Sequence, residues 1–334
     1  MSTLQRGPLC TIAIPVYHRM HQALAFAALE SALAEERADV EILVIDDHTT
    51  DGTWDRLRQV VHDRRARLLR NERNLGLFQN FNRCLDEARG RYVRILCSDD
   101  VLEPASLGEE LAVMERHPDM ALLTTWGLRI APDGRALGRQ ASSLPEGYYL
   151  GERGIAAVLN TNAGTGYNAL NYPSGVLLRK AAADAAGRFR TDMRVSGDVE
   201  YFLRVLEHGA LGVLGRVGCR ITVHPQQVGS SLALDPVVMH EMFDLLERFG
   251  PILHDHTDRT LTRQATAGLS VWQAIRAAMR GEARLALAQL KVPGQHGAGV
   301  REMSAGFAHL LARRVRWTVR GPSAPADVVP DAPL

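Results

Sequence analysis

Two hydrophobic periods alternate through the first 130 residues. Cys10–Val16, Val40–Ile45, Arg67–Arg70 and Tyr92–Cys97 are short apolar runs that read as strands. Val40–Ile45 is apolar almost throughout, as a strand covered on both faces should be. Between these runs the spacing turns helical. Gln22–Glu36 carries Leu24, Ala28, Ser31 and Ala32 on one face. The turn residues Thr50–Thr53 precede Trp54, Leu57, Val60 and Val61. Leu77–Ala88 lines up Leu77, Phe81, Cys84, Leu85 and Ala88. Strand and helix in alternation predict an α/β sheet joined by right-handed parallel crossovers.

The pattern then loosens. Met120–Thr125 reads as another strand and Pro132-Asp133-Gly134 as a turn. Gly147–Pro173 is rich in Gly, Asn, Thr and Tyr and predicts a mobile loop facing a ligand. Order returns with Ser174–Arg179 and the helix Asp198–His208. From Pro236 the pattern is helical: Val237–Phe249, Arg259–Arg280, Glu282–Leu290 and Val300–Arg320. The expected organisation is an N-terminal tail (1–9), an α/β domain (10–235), a helical region (236–320) and a proline-rich disordered tail (321–334).

Composition narrows the class. The chain has 334 residues, 46% hydrophobic and 23% charged, with a net charge of +1, so no basic field argues for nucleic acid. Cys10, Cys84, Cys97 and Cys219 have no metal-ligand or redox spacing and read as buried thiols in a reducing compartment. No signal core is visible, and no apolar run reaches the roughly 20 residues a spanning helix needs. The expectation is a cytoplasmic protein that can also sit at the inner face of a membrane.

Two of the strands end in paired acids, Asp46-Asp47 and Asp99-Asp100. Acids at strand ends often cap the following helix. Two such pairs on one edge of a parallel sheet point instead to a shared ligand site, because ligands bind beyond the carboxyl ends of the strands. Carboxylates there suit a hard divalent cation, which suits a phosphorylated ligand.

The motifs Ile14-Pro-Val-Tyr17, Asp46-Asp-His-Thr-Thr-Asp-Gly-Thr53, Asn71-Glu-Arg-Asn-Leu-Gly76, Ala88-Arg-Gly-Arg-Tyr-Val93 and Leu96-Cys-Ser-Asp-Asp100 resemble those of family 2 glycosyltransferases, in order and spacing. The resemblance covers about Cys10–Ser231. It implies a GT-A fold, Rossmann-like and mostly parallel with flanking helices, here with a helical C-terminal extension. It also implies a nucleotide-sugar donor, Mg2+ or Mn2+, and inversion at the anomeric carbon. The acceptor would be a glycan or a lipid-linked hydroxyl in surface polysaccharide or glycoconjugate synthesis.

The resemblance also assigns residues. Pro15 and Tyr17 lie beside the nucleotide, and Asp47 accepts from a uracil-type base, which favours a UDP-sugar. Asn74 and Gly76 form the turn over the nucleotide, and Ser98 lies at the donor. Asp99 is the metal ligand, joined by Asp100 and by His224 of His224-Pro-Gln-Gln-Val-Gly-Ser-Ser231. Asn168–Ser174 falls in the acceptor-side region. Asp198 matches the general base, with Glu200 as the weaker candidate. His18 and His48 replace common Asn and Gly positions and read as bystanders.

Two departures stand out. Cys97 occupies a position where many relatives have an acid, and Gly197 replaces the usual Glu before the base. They leave room for a catalytically silent sugar-nucleotide-binding module. A sugar nucleotidyltransferase is a weaker rival, since Ile14–Met20 lacks a glycine-rich, lysine-containing triphosphate loop. In Val300–Arg320, Met303, Phe307, Leu310, Leu311 and Trp317 oppose Arg301, Arg313, Arg314, Arg316 and Arg320. That pattern fits an anionic membrane surface, and equally a helix packed on the domain or in a homodimer.

Overall fold

The computed structural model describes residues 7–17, 24–140, 144–165, 168–224, 227, 232–253, 256–320 and 330–334. The first strands are β1 (Cys10–Val16), β2 (Val40–Asp46), β3 (Ala66–Arg70) and β4 (Tyr92–Ile95). They are separated by α1 (Leu24–Leu33), α2 (Thr53–Val60) and α3 (Leu77–Glu87). There follow β5 (Val101–Leu102), α4 (Ser106–Arg116), β6 (Met120–Ile130), β7 (Ala136–Gln140) and β8 (Gly147–Tyr149). Then come α5 (Gly151–Thr165), β9 (Val176–Arg179), α6 (Lys180–Ala185), α7 (Gly197–Leu206) and β10 (Ala210–Thr222). The chain ends in α8 (Pro236–Phe249), α9 (His256–Met279), α10 (Ala283–Gln295) and α11 (Val300–Arg320).

The sheet runs β3-β2-β1-β4-β9-β6-β10-β5, with β7 beside β6 and β8 beside β10. β3, β2, β1 and β4 are mutually parallel, as the alternating periods predict. The other half is mixed, because β9 runs antiparallel to both β4 and β6. Alternate residues feed two cores. Val93, Ile95, Val176 and Leu178 face α3, α5 and α7, whereas Tyr92, Leu177 and Leu123 face α1, α2 and α4. A sheet buried on both faces accounts for the apolar runs.

The stretch expected to be a mobile loop, Gly147–Pro173, is largely ordered: it holds β8 and the 15-residue helix α5. Its apolar residues are helically spaced after all, with Ile155, Val158, Leu159 and Ala163 buried. Of the glycines that suggested a loop, Gly154 serves packing. A Cβ on Gly154 would come within 3.2 Å of the Leu211 side chain on β10.

One other expectation changes, and one open reading is narrowed. Residues 330–334, read as disordered tail, include a backbone pairing of Ala332 with Tyr148 and an Arg153–Asp331 ion pair; 321–329 lie outside the described residues. The first half of α11 packs on α9, where Gly268 and Gly306 cross so closely that any Cβ would overlap backbone. Leu310 is buried against this region. The side chains of 313–320, including Trp317 and four of the arginines, are not among those described. Among the described residues, no helix is long and apolar enough to cross a membrane.

Ile155 is fully buried between α5 and the sheet. Ile155→Ala should lower stability by about 2–5 kcal/mol, read as a shifted midpoint in urea at unchanged slope.

Candidate active site

β1, β2 and β4 are parallel neighbours, so their carboxyl ends open on one edge of the sheet. Both acidic pairs sit there, and within each pair the two acids divide the work. Asp46 is fully buried. It accepts from the Thr49 hydroxyl at 2.6 Å and pairs with Arg70 at 3.1 Å, and burial raises its carboxyl above the usual range. Asp47 accepts from Asn71 Nδ2 (2.6 Å), Leu75 N (2.8 Å) and Gly76 N (2.9 Å), fastening the 71–76 turn to the end of β2. Asn74 Oδ1 accepts from the same Gly76 N–H at 2.9 Å. Gly76 has φ +85°, which glycine adopts without strain, and it opens α3. Pro15 is buried inside β1, paired in register with Ile45, and Tyr17 is 43% exposed just past the strand. His48 takes φ +58° and its Nδ1 meets Asn71 O at 3.2 Å, which fits a place where glycine is common. His18 lies outside the described residues.

The second pair is divided in the same way. Asp100 is buried and accepts from Ser174 Oγ at 2.6 Å and from Thr222 N at 3.1 Å. Ser174 Oγ in turn accepts from Cys97 N at 3.0 Å. One carboxylate thereby joins the ends of β4 and β10 to the start of β9. Asp99 points elsewhere, with its Oδ2 2.9 Å from Nε2 of the buried His224. Ser98, between Cys97 and Asp99 in sequence, is buried. The Cys97 thiol and the Asp99 and Asp100 carboxylates place one ligand atom each within 4.8 Å of one another. The two carboxylates offer the hard oxygen donors that Mg2+ or Mn2+ take, with the His224 imidazole beside Asp99 and the Cys97 thiol close by. Cys97 is half-buried, unlike the other three cysteines. Burial first, then the charges of Asp100, Asp99 and Asp198, raise its thiol well above the ordinary value. Asp198 therefore lies close enough to act on the same thiol as the two acids.

Asp198 is half-buried in the first turn of α7, and burial lifts its carboxyl from 3.8 to about 6. Glu200 takes another part. It is buried and held by Arg204 at 2.8 Å and Arg248 at 2.6 Å, which makes it a structural anion. Gly197 has a steric reason to lack a side chain, since a Cβ there would stand 2.6 Å from the Phe78 ring.

Sequence reasoning missed Glu241. This buried residue of α8 accepts from the backbone N–H groups of Arg194, Val195 (3.1 Å) and Ser196 (2.6 Å), the loop that enters α7. Its charge also contributes to the raised carboxyl of Asp198. It lies 43 residues beyond Asp198 in sequence, and only the apolar positions of α8 had a visible signal.

Residues 11–171 match the family described as Glycosyl transferase family 2. Over those residues, just under half of its length, the chain belongs to glycosyltransferase family 2, and its fold is GT-A. Uncharacterized protein MT1568 of Mycobacterium tuberculosis is 31% identical over 213 residues, which is 61% of this chain and 64% of that protein. The chain thus spans a little under two thirds of that relative's length. Among solved structures, S. aureus TarS (1–349) in complex with UDP-GlcNAc superposes with a TM-score of 0.58 at 16% identity, covering 87% of this chain and 93% of that one. The mannosyltransferase PcManGT from Pyrobaculum calidifontis, in complex with GDP-Man and Mn2+, gives 0.54 at 18% identity over 93% and 87%.

Ser174→Ala removes the acceptor of the Cys97 N–H and one donor to the buried Asp100 carboxylate. It should lower stability by about 1–3 kcal/mol in denaturant unfolding.

Proposed function

We propose that the chain transfers one sugar from a nucleotide-diphosphate donor, preferentially a UDP-sugar, to a hydroxyl of a glycan or lipid-linked acceptor, with inversion. The observation that carries this reading is the Asp99–His224 pair, 2.9 Å apart beside the Cys97–Asp99–Asp100 group at the carboxyl end of β4; Asp198, in the first turn of α7 with its carboxyl raised by burial, supports it. A base poised just below neutrality and a carboxylate–imidazole pair suited to a metal diphosphate are the two things that inverting transfer requires. The donors bound in TarS and PcManGT support a nucleotide sugar.

In this reading Asp99 and His224 hold Mg2+ or Mn2+, which when bound supplies positive charge against the diphosphate. Asp100 holds the frame around them. Tyr17 offers its exposed ring to the base. Asp47 has about four acceptor sites, three of which the 71–76 turn uses, and the remaining one suits a uracil imide N–H. Asn168–Ser174 borders the acceptor. Asp198 takes the proton of the acceptor hydroxyl as its oxygen attacks the anomeric carbon. The bond to the diphosphate breaks on the opposite face, and its electron pair leaves with the nucleoside diphosphate. Glu241 sets the position of Asp198 by fixing the loop that enters α7.

Asp198→Asn should abolish transfer while leaving nucleotide binding intact. The neutral amide escapes the desolvation that raises the acid, so at pH 8 the variant should be at least as stable as the parent in thermal melting. In the unsubstituted chain kcat/KM should rise with pH through about 6 and level off above it, because the base works deprotonated. Full activity of Asp198→Asn, or an acid limb far from 6, contradicts the assignment. Release of no nucleoside diphosphate with any donor, with Mg2+ or Mn2+ present, would instead mark a silent binding module.

A further inference from the structure

A second group of metal-ligating side chains lies on the C-terminal helices. His240, Asp244 and Glu247 occupy positions i, i+4 and i+7 of α8, so they fall within about 60° around that helix. His296, at the C-terminal cap of α10, faces them. Its Nδ1 lies 3.0 Å from Glu247 Oε1 and its Nε2 lies 3.0 Å from His240 Nδ1. One ligand atom each from Asp244, Glu247 and His296 falls within 4.8 Å of the others.

Two further contacts set this group apart from an ordinary surface cluster of acids. The His296 ring is stacked on Phe243, 4.8 Å between centroids and 10° between planes, and the side chain is only 13% exposed. The imidazole is therefore fixed in orientation, with one nitrogen turned to the carboxylates. The other nitrogen already has a hydrogen-bond partner in His240. A metal-bound histidine almost always has such a partner on its far nitrogen, which fixes the tautomer.

We propose that Asp244, Glu247 and His296 Nδ1 bind a Zn2+-class divalent cation, with His240 as the positioning residue behind His296. Three nitrogen and oxygen donors, with the remaining positions open to water, suit Zn2+ or Co2+ better than Mg2+. Bonds of about 2.0–2.2 Å place tetrahedral ligand atoms about 3.3–3.5 Å apart. The exposed carboxylates close the difference from 4.8 Å by rotation. The ion would clamp α8 to the end of α10. α8 also carries Glu241, about a quarter turn away, which holds the loop before Asp198.

The test is calorimetric titration of ZnCl2, in a non-chelating buffer, into the full chain carrying Asp99→Asn, which removes the first acidic site. The account expects one Zn2+ per chain. Adding Asp244→Asn and Glu247→Gln, both at exposed positions, should abolish that binding, with melting in the absence of metal unchanged. Adding His240→Gln should weaken binding by about 10–100-fold at the same stoichiometry. Absence of saturable binding in the Asp99→Asn chain overturns the proposal, as does unchanged affinity in the carboxylate variant. Neither result bears on the sugar-transfer reading, which is tested at Asp198.

Discussion

The carboxylate of Asp100 is the point on which the site depends. It receives the Ser174 hydroxyl and the Thr222 amide, so three separate chain segments meet on one buried anion. Ser174 extends the connection to the backbone at Cys97. These bonds fix where the turn after β4 lies, and Asp99 is then held toward His224. A buried charge that lost these donors would be strongly unfavourable, so the three segments are held together or not at all.

The same economy recurs across the edge of the sheet. In each acidic pair the two members hold different partners. Asp46 pairs with Arg70 and Asp47 fastens the 71–76 turn. On α7, Glu200 is tied to Arg204 and Arg248, which leaves Asp198 at the helix start with a carboxyl lifted by burial. The helical region takes part as well, because Glu241 reaches from α8 to the loop before Asp198. A substitution deep in the C-terminal helices can therefore reach the chemistry through that loop.

Much of the fold was legible because the first half of the sheet is parallel and buried on both faces. Such strands leave apolar runs, and their crossovers leave helical spacing. The mixed half was harder. β9 is short, and the length of β10, 13 residues with bulges, does not show as a simple alternation. α5 was hidden by glycines that favour loops in isolation, one of which, Gly154, permits close packing in context. The spacing placed two acidic pairs at the ends of neighbouring parallel strands, where the structure has them, but the division of labour within each pair is a matter of which oxygens meet which donors. No spacing records that. Glu241 and the His240–His296 contact join segments far apart in the chain and left no local signal.

Cys97 and Gly197, the two departures from the family pattern, now have different explanations. Gly197 is imposed by the Phe78 ring. Cys97 brings a thiol close to three carboxylates and packs against the core under α3 and α7. The account rests on Asp99 and His224 as the pair that meets the metal. The most direct measurement is an anomalous difference map at the manganese edge from crystals grown with UDP and Mn2+. It should show a peak bonded to the Asp99 carboxylate and His224 Nε2, with the nucleotide diphosphate beside it. Ordered UDP with no manganese peak at that pair would contradict the account.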